Sequence, residues 1–239
     1  MWSREALKND AKITLGNCFG NSILAGLVLV AINSVGNFSI KMNNVNFSRF
    51  TFAQLFTIWL SMSLASFITL LIQIFVANLL IVGVSHFFLS SRVRPSGVDL
   101  VGFGFKKGRY GNVCKTMFLM KLFIGLWSLL FVIPGIYKSY QYRMVPYLLA
   151  ENPEMDYQRA LDLSTSMMDG EKWNAFVLDL SFIGWHFLSL FTCMILEVLY
   201  VTPFQHHTNA GLYIALREKA INNGLVNPAE LYAVVNNIQ

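Results

Sequence analysis

Residues 127–176 read WSLLFVIPGIYKSYQYRMVPYLLAENPEMDYQRALDLSTSMMDGEKWNAF. An apolar run ends at Pro134–Gly135, and a short Tyr-rich segment then carries Lys138 and Arg143. Asn152–Pro153 predicts a capped helix start, since Asn favours the N-cap and Pro the first turn. Ala160, Leu161, Leu163, Ser164, Met167 and Met168 form a helical stripe, and Asp169–Gly170 predicts its stop. A second apolar run follows at once. The unit is therefore span, break, short cationic return, amphipathic helix and next span.

The rest of the chain has the same character. Of its 239 residues, 55% are apolar and 13% charged. Soluble domains carry about a quarter charged residues, so the composition predicts an integral membrane protein. Its single domain is expected over residues 1–220, with a short polar tail at 221–239. Cys18, Cys114 and Cys193 are far apart and lie in or beside apolar runs, which favours packing roles over metal ligation or a disulfide framework.

In chain order, residues 3–13 suit an amphipathic helix capped by Ser3, with Ala6, Leu7 and Ile13 as its apolar members. Residues 15–36 predict an uncleaved first span containing Gly16, Gly20, Ala25 and Gly26. Residues 37–50 read as a polar loop. The apolar run at 52–89 would reach roughly 55 Å as one helix, against about 30 Å of hydrocarbon; its last turns are expected in the interface. Residues 90–115 form a basic connector with Arg92, Arg94, Lys106, Lys107, Arg109 and Lys115, read as a positive-inside loop able to meet anionic headgroups. Its glycines lack the P-loop spacing. Further spans are expected at 113–133 and 173–200, each followed by Pro and a short return, 136–150 and 204–220. The fold expectation is an all-α polytopic bundle of three helical hairpins, about six membrane segments, two of them short or re-entrant.

Three places share a local plan of Gly, aromatic and Asn before an apolar run: Gly16–Phe19–Asn21, Gly108–Tyr110–Asn112 and Gly170–Trp173–Asn174. Charge placement gives the orientation. Residues 1–14, 90–115, 151–172 and 217–239 hold thirteen of the 18 Lys and Arg, whereas 37–52 holds two. The positive-inside rule then puts both termini in the cytoplasm.

Residues 127–154 (WSLLFVIPGIYKSYQYRMVPYLLAENPE), 160–188 (ALDLSTSMMDGEKWNAFVLDLSFIGWHFL) and 200–216 (YVTPFQHHTNAGLYIAL) together resemble a family of uncharacterised bacterial multi-span membrane proteins, defined only as a domain of unknown function. The family is distantly similar to the membrane domain of glycerophosphodiester phosphodiesterases. The resemblance implies a multi-pass protein of the bacterial plasma membrane and carries no catalytic residues.

The sequence holds no zinc-protease His/Glu spacing and no Gly-x-Ser-x-Gly elbow. The polar groups that would be costly against lipid are Lys138, Arg143, Asp179, Glu197, His206 and His207. They are expected to pair within the bundle or to line a small polar cavity, with Glu197, His206 and Lys138 approaching one another. Lys106, Lys107 and Arg109 are the candidates for lipid headgroups. The reading is a non-enzymatic membrane protein that binds lipid or a partner, another membrane protein or its own copy, with no cofactor and no nucleic acid. The alternative is a small transporter or channel subunit; a membrane-embedded lipid-processing enzyme comes third.

Overall fold

The computed structural model describes residues 2–36, 51–106, 108–192 and 194–231, with no strand among them. The predicted loop at 37–50, Lys107 and Cys193 lie outside the described residues.

Helix α1 (Arg4–Asn17) starts where Ser3 accepts from the Ala6 N–H at 3.1 Å, and it runs a turn beyond the predicted end. Its buried face is Leu7, Ala11, Thr14 and Leu15; Ala6 and Ile13 are exposed. At Cys18 the backbone leaves helical geometry, and α2 (Phe19–Gly36) departs at 105°. The run expected as a span at 15–36 is thus α2, preceded by the last residues of α1 before the bend.

The run at 52–89 is one continuous helix, Phe52–Val93. Its parts are α3 (Phe52–Ile72), a π-helical turn at Gln73–Ala77 and α4 (Asn78–Val93). At 42 residues it would measure roughly 63 Å. α3 buries none of its side chains, whereas most of α4 is buried. Gln73 ties the π turn to α2 by donating to the Ile32 carbonyl at 3.1 Å.

The basic connector is not a free loop. Residues Val98–Phe105 form a 3-10 helix that lies back along α4, burying Val101 and Phe103. Gly83 permits this approach, because a Cβ there would overlap the Val101 carbonyl. The connector's apolar residues Val98, Leu100, Val101 and Phe103, packed on or buried in the core, decide where it goes, although its charge is the more visible feature of the sequence.

Helix α5 (Tyr110–Leu130) ends before the proline. Phe131 is extended, and α6 (Val132–Gln141) carries Pro134 in its first turn, where a missing N–H costs no intrahelical bond. The break is therefore at Phe131, not at Pro134–Gly135. Gly135 lies flat against α5, where a Cβ would overlap Ser128. Next come α7 (Val145–Glu151) and α8 (Tyr157–Met167). Asn152 ends α7 instead of starting α8; the cap of α8 is Asp156, which accepts from the Gln158 N–H at 3.0 Å. The predicted stripe on α8 is buried, and Gly170 closes the turn with φ +74°.

Helices α9 (Lys172–Leu180) and α10 (Ile183–Phe191) make up the next apolar run. The chain reverses at residues 192–196, earlier than expected, through Met194 at φ 66°. Glu197 therefore opens the return, a π turn at Glu197–Val201 leading into α11 (Thr202–Asn222), and Pro203 sits in a first turn. A short α12 (Pro228–Leu231) packs Leu231 into the core.

Among the described residues, three helices are long and apolar enough to cross a membrane: Phe52–Val93, Tyr110–Leu130 and Lys172–Phe191. Counting the bent pair of α1 and α2 gives a fourth. Six spans are not supported. At ten residues α6 reaches roughly 15 Å, and α11 carries too many polar groups. The three Asn residues of the shared plan make three different contacts. Asn21 donates to the Ser96 carbonyl, Asn112 to those of Pro153 and Met155, and Asn174 to the Glu171 carboxylate, each near the start of its helix.

Candidate functional site

Polar side chains from most elements converge on α11. Arg143 sits in the turn between α6 and α7, and its side chain is 15% exposed. Its guanidinium meets Asp179 of α9 in a two-pronged pair, at 2.5 Å and 2.7 Å. Nη2 also donates to Asn209 of α11 at 2.8 Å, and the Tyr140 hydroxyl donates to Asp179 at 2.8 Å. The planar fork of Arg suits this two-pronged geometry. An Arg in an apolar setting must face the bundle, pair or reach for water; Arg143 faces inward and pairs.

One turn back on α11, His206 stacks on Phe88 of α4 with ring centres 5.3 Å apart. His207 is fully buried; its Nε2 lies 2.9 Å from the Ser22 hydroxyl of α2. Arg92 of α4 donates to the His207 carbonyl through Nε and Nη2 and pairs with Asp10 of α1. Arg92 was expected in an exposed loop, yet its side chain is 8% exposed. The available signal was Gly211, a glycine inside a helix. A Cβ there would sit 2.6 Å from Arg92 Nη2.

Further along α11, Tyr213 donates to Glu151 at 2.9 Å, and Arg217 pairs with Glu151 at 3.2 Å. Burial pushes the Glu151 carboxyl up to about 7, against the opposing pull of Arg217 and the Tyr213 hydroxyl. Lys219 donates to Glu171 at 2.7 Å, and Glu171 also accepts from the Trp2 indole and Asn174. Burial alone would raise the Glu171 carboxyl, but these donors hold it below the usual range. A cavity of about 620 Å³ opens beside them, lined by Trp2, Glu171, Glu218, Lys219 and Asn222.

The predicted residues thus separate into groups. Arg143 and Asp179 are bonded, and His206 and His207 lie on α11, the helix that supplies Asn209 to the pair. Glu197 faces His186 at 3.0 Å and Thr202 at 3.4 Å, in place of the expected His206 and Lys138. Lys138 lies over the rings of Trp127 and Tyr142, at 5.5 Å and 5.4 Å. Arg109 lies 4.6 Å over Phe103, whose ring also stacks on His86, so the connector cation is drawn onto an aromatic pair. Among the described residues no group of three or more His, Cys, Asp or Glu is placed to hold a metal ion.

A family model covers residues 18–220. The chain belongs to the family described as Protein of unknown function (DUF975). The match extends well upstream of the stretch that carried the resemblance and takes in α2 to α10 and nearly all of α11. No curated protein and no solved structure matches the chain.

Proposed function

We propose that this family member is a non-enzymatic, multi-pass protein of the bacterial plasma membrane, with both termini cytoplasmic. Its role would be to bind anionic lipid or a partner membrane protein in an envelope process. The observation that carries this reading is the contrast between its two surfaces. The candidate spans leave most of their apolar side chains uncovered, with α3 burying none, while the charged groups gather into internally paired sets around α11. Apolar surface of that extent is stable against hydrocarbon, and paired charges need no lipid partner.

The headgroup contact is assigned to the connector, through Lys106, Lys107 and Arg109. The test is purification from native membranes. The protein is expected to stay in the pellet after an alkaline carbonate wash and to carry anionic phospholipid. Neutralising the three connector residues should lower that lipid load; an unchanged load excludes the connector as the site. Ion or solute flux in liposomes that disappears in Arg143→Ala or Glu197→Ala would replace this reading with transport.

A further inference from the structure

We propose that the cavity between the N-terminal segment and the end of α11 is a binding site for a primary ammonium group on a small organic molecule. This site is separate from the connector and does not depend on the membrane reading. At about 620 Å³ the cavity falls within the roughly 300–1,000 Å³ of small-molecule sites. Ala215, Glu218, Lys219 and Asn222 line it at the i, i+3, i+4, i+7 spacing of one helical face, and Asn223 joins them where α11 ends. Trp2 and Glu171 complete the wall.

Charge selects a cation. Glu171 is already engaged: it accepts from Lys219 at 2.7 Å and from the Trp2 indole and Asn174 at 3.1 Å. The same ion pair occupies Lys219, the base on this wall. Glu218 is exposed and, among the described residues, has no hydrogen-bond or ion-pair partner, so it is the charge the cavity still offers. The wall also lies at the C-terminal end of α11, the negative pole of the helix. An anion would meet both without a free base to answer it. The remaining groups narrow the cation. Asn222 and Asn223 offer amide oxygens, which accept N–H donors; a primary ammonium has three to give and a quaternary one none. The Trp2 ring, pinned by its N–H, borders this cavity and a second of about 400 Å³, and the face of an indole attracts an ammonium. The second cavity, bordered by Arg4 and Glu5, adds no net charge. A bare metal ion would leave a space of this size mostly empty, whereas an organic ammonium fills it with its carbon body against Trp2 and Ala215.

The experiment is titration of the full-length protein in detergent with n-butylammonium and with butyltrimethylammonium, which differ only in their N-methyl groups, read by calorimetry. Wild type is expected to bind the primary amine, and the quaternary one about tenfold more weakly, since it has no N–H to give. Glu218→Gln should bind the primary amine about fivefold more weakly, and Trp2→Leu about threefold. Glu154→Gln removes the same charge from an exposed turn outside the cavity and should bind like wild type. Equal affinity in wild type and Glu218→Gln overturns the inference, as does equal affinity of wild type for the two amines, or no binding of either. Phosphatidylethanolamine in the same micelles carries the group on a lipid: competition with butylammonium names the lipid as its source, and no competition names a soluble amine. Release of wild type by carbonate would strike the membrane reading and leave this site in place.

Discussion

Arg143 and Asp179 show what a buried charge demands of its neighbours. The guanidinium is held by Asp179 and Asn209, so removing the carboxylate leaves a cation with one neutral partner. Breaking such a pair from one side costs about 3–5 kcal/mol. Asp179→Ala should therefore lower unfolding stability in detergent by that amount, while Asp179→Glu should recover part of it. Gly211→Ala tests the other pair, since the added methyl displaces the Arg92 guanidinium from the His207 carbonyl; a loss of a few kcal/mol is expected. Glu151 gives a pH signature. Burial pushes its folded carboxyl up to about 7, from an ordinary value of about 4.5. Its contribution is therefore fully present below pH about 4.5 and is lost as pH rises toward 7. Thermal unfolding across pH 4.5–8 should show a decline that Glu151→Gln flattens, measured against wild type in the same detergent. Arg143, Asp179, His206 and His207 were legible as residues needing partners, because charge in an apolar run is costly wherever it falls. Their partners were less legible. Tyr140 and Asn209 look like ordinary polar residues, and Arg92 was masked by the basic connector around it. Only the helical glycine at 211 pointed to it.

At the scale of elements, the hydrophobic pattern located the helices well and their ends less well. The 52–89 run is one helix because nothing in it breaks hydrogen bonding, and α8 carries its predicted stripe. Proline misled at two points, Pro134 and Pro203, since both fit within a first helical turn while the actual breaks lie at Phe131 and at 192–196. Asn152 misled in the same way: its side chain accepts from the Glu154 N–H at 3.2 Å, closing a turn that delays the helix to Tyr157. Close packing supplies a further test. With α5 and α6 meeting at Gly135 and Ser128, Gly135→Leu must force the hairpin open. Thermal unfolding in detergent should drop sharply for Gly135→Leu and little for Gly125→Ala, where an added Cβ meets nothing within 4 Å.

Across the whole molecule, the sequence was informative about class and overstated the number of passes. Alternating apolar runs and turns predicted three hairpins, but a run's apolarity does not report whether its return arm is long enough. At ten residues α6 is not, and α11 spends its length satisfying other helices. The resulting molecule has its polar organisation around one helix and its apolar surface elsewhere. An increase in ionic strength should therefore alter lipid retention more than folding, because surface charges are screened while paired, buried ones are not. Lipid load and melting temperature measured at 50 mM and 500 mM salt should separate accordingly.

The placement of α11 near the end of the chain sets an order of events during synthesis. Arg92, Arg143, Glu151 and Glu171 all leave the ribosome before the residues of α11 that complete their bonding. Until translation passes residues 207, 209, 217 and 219 respectively, each is an ion without its final partner. The nascent chain must therefore keep its earlier helices in an open arrangement and close them around its last long helix. A transcript truncated after residue 201 would yield a product that keeps its three candidate spans yet lacks the helix that completes their polar bonding.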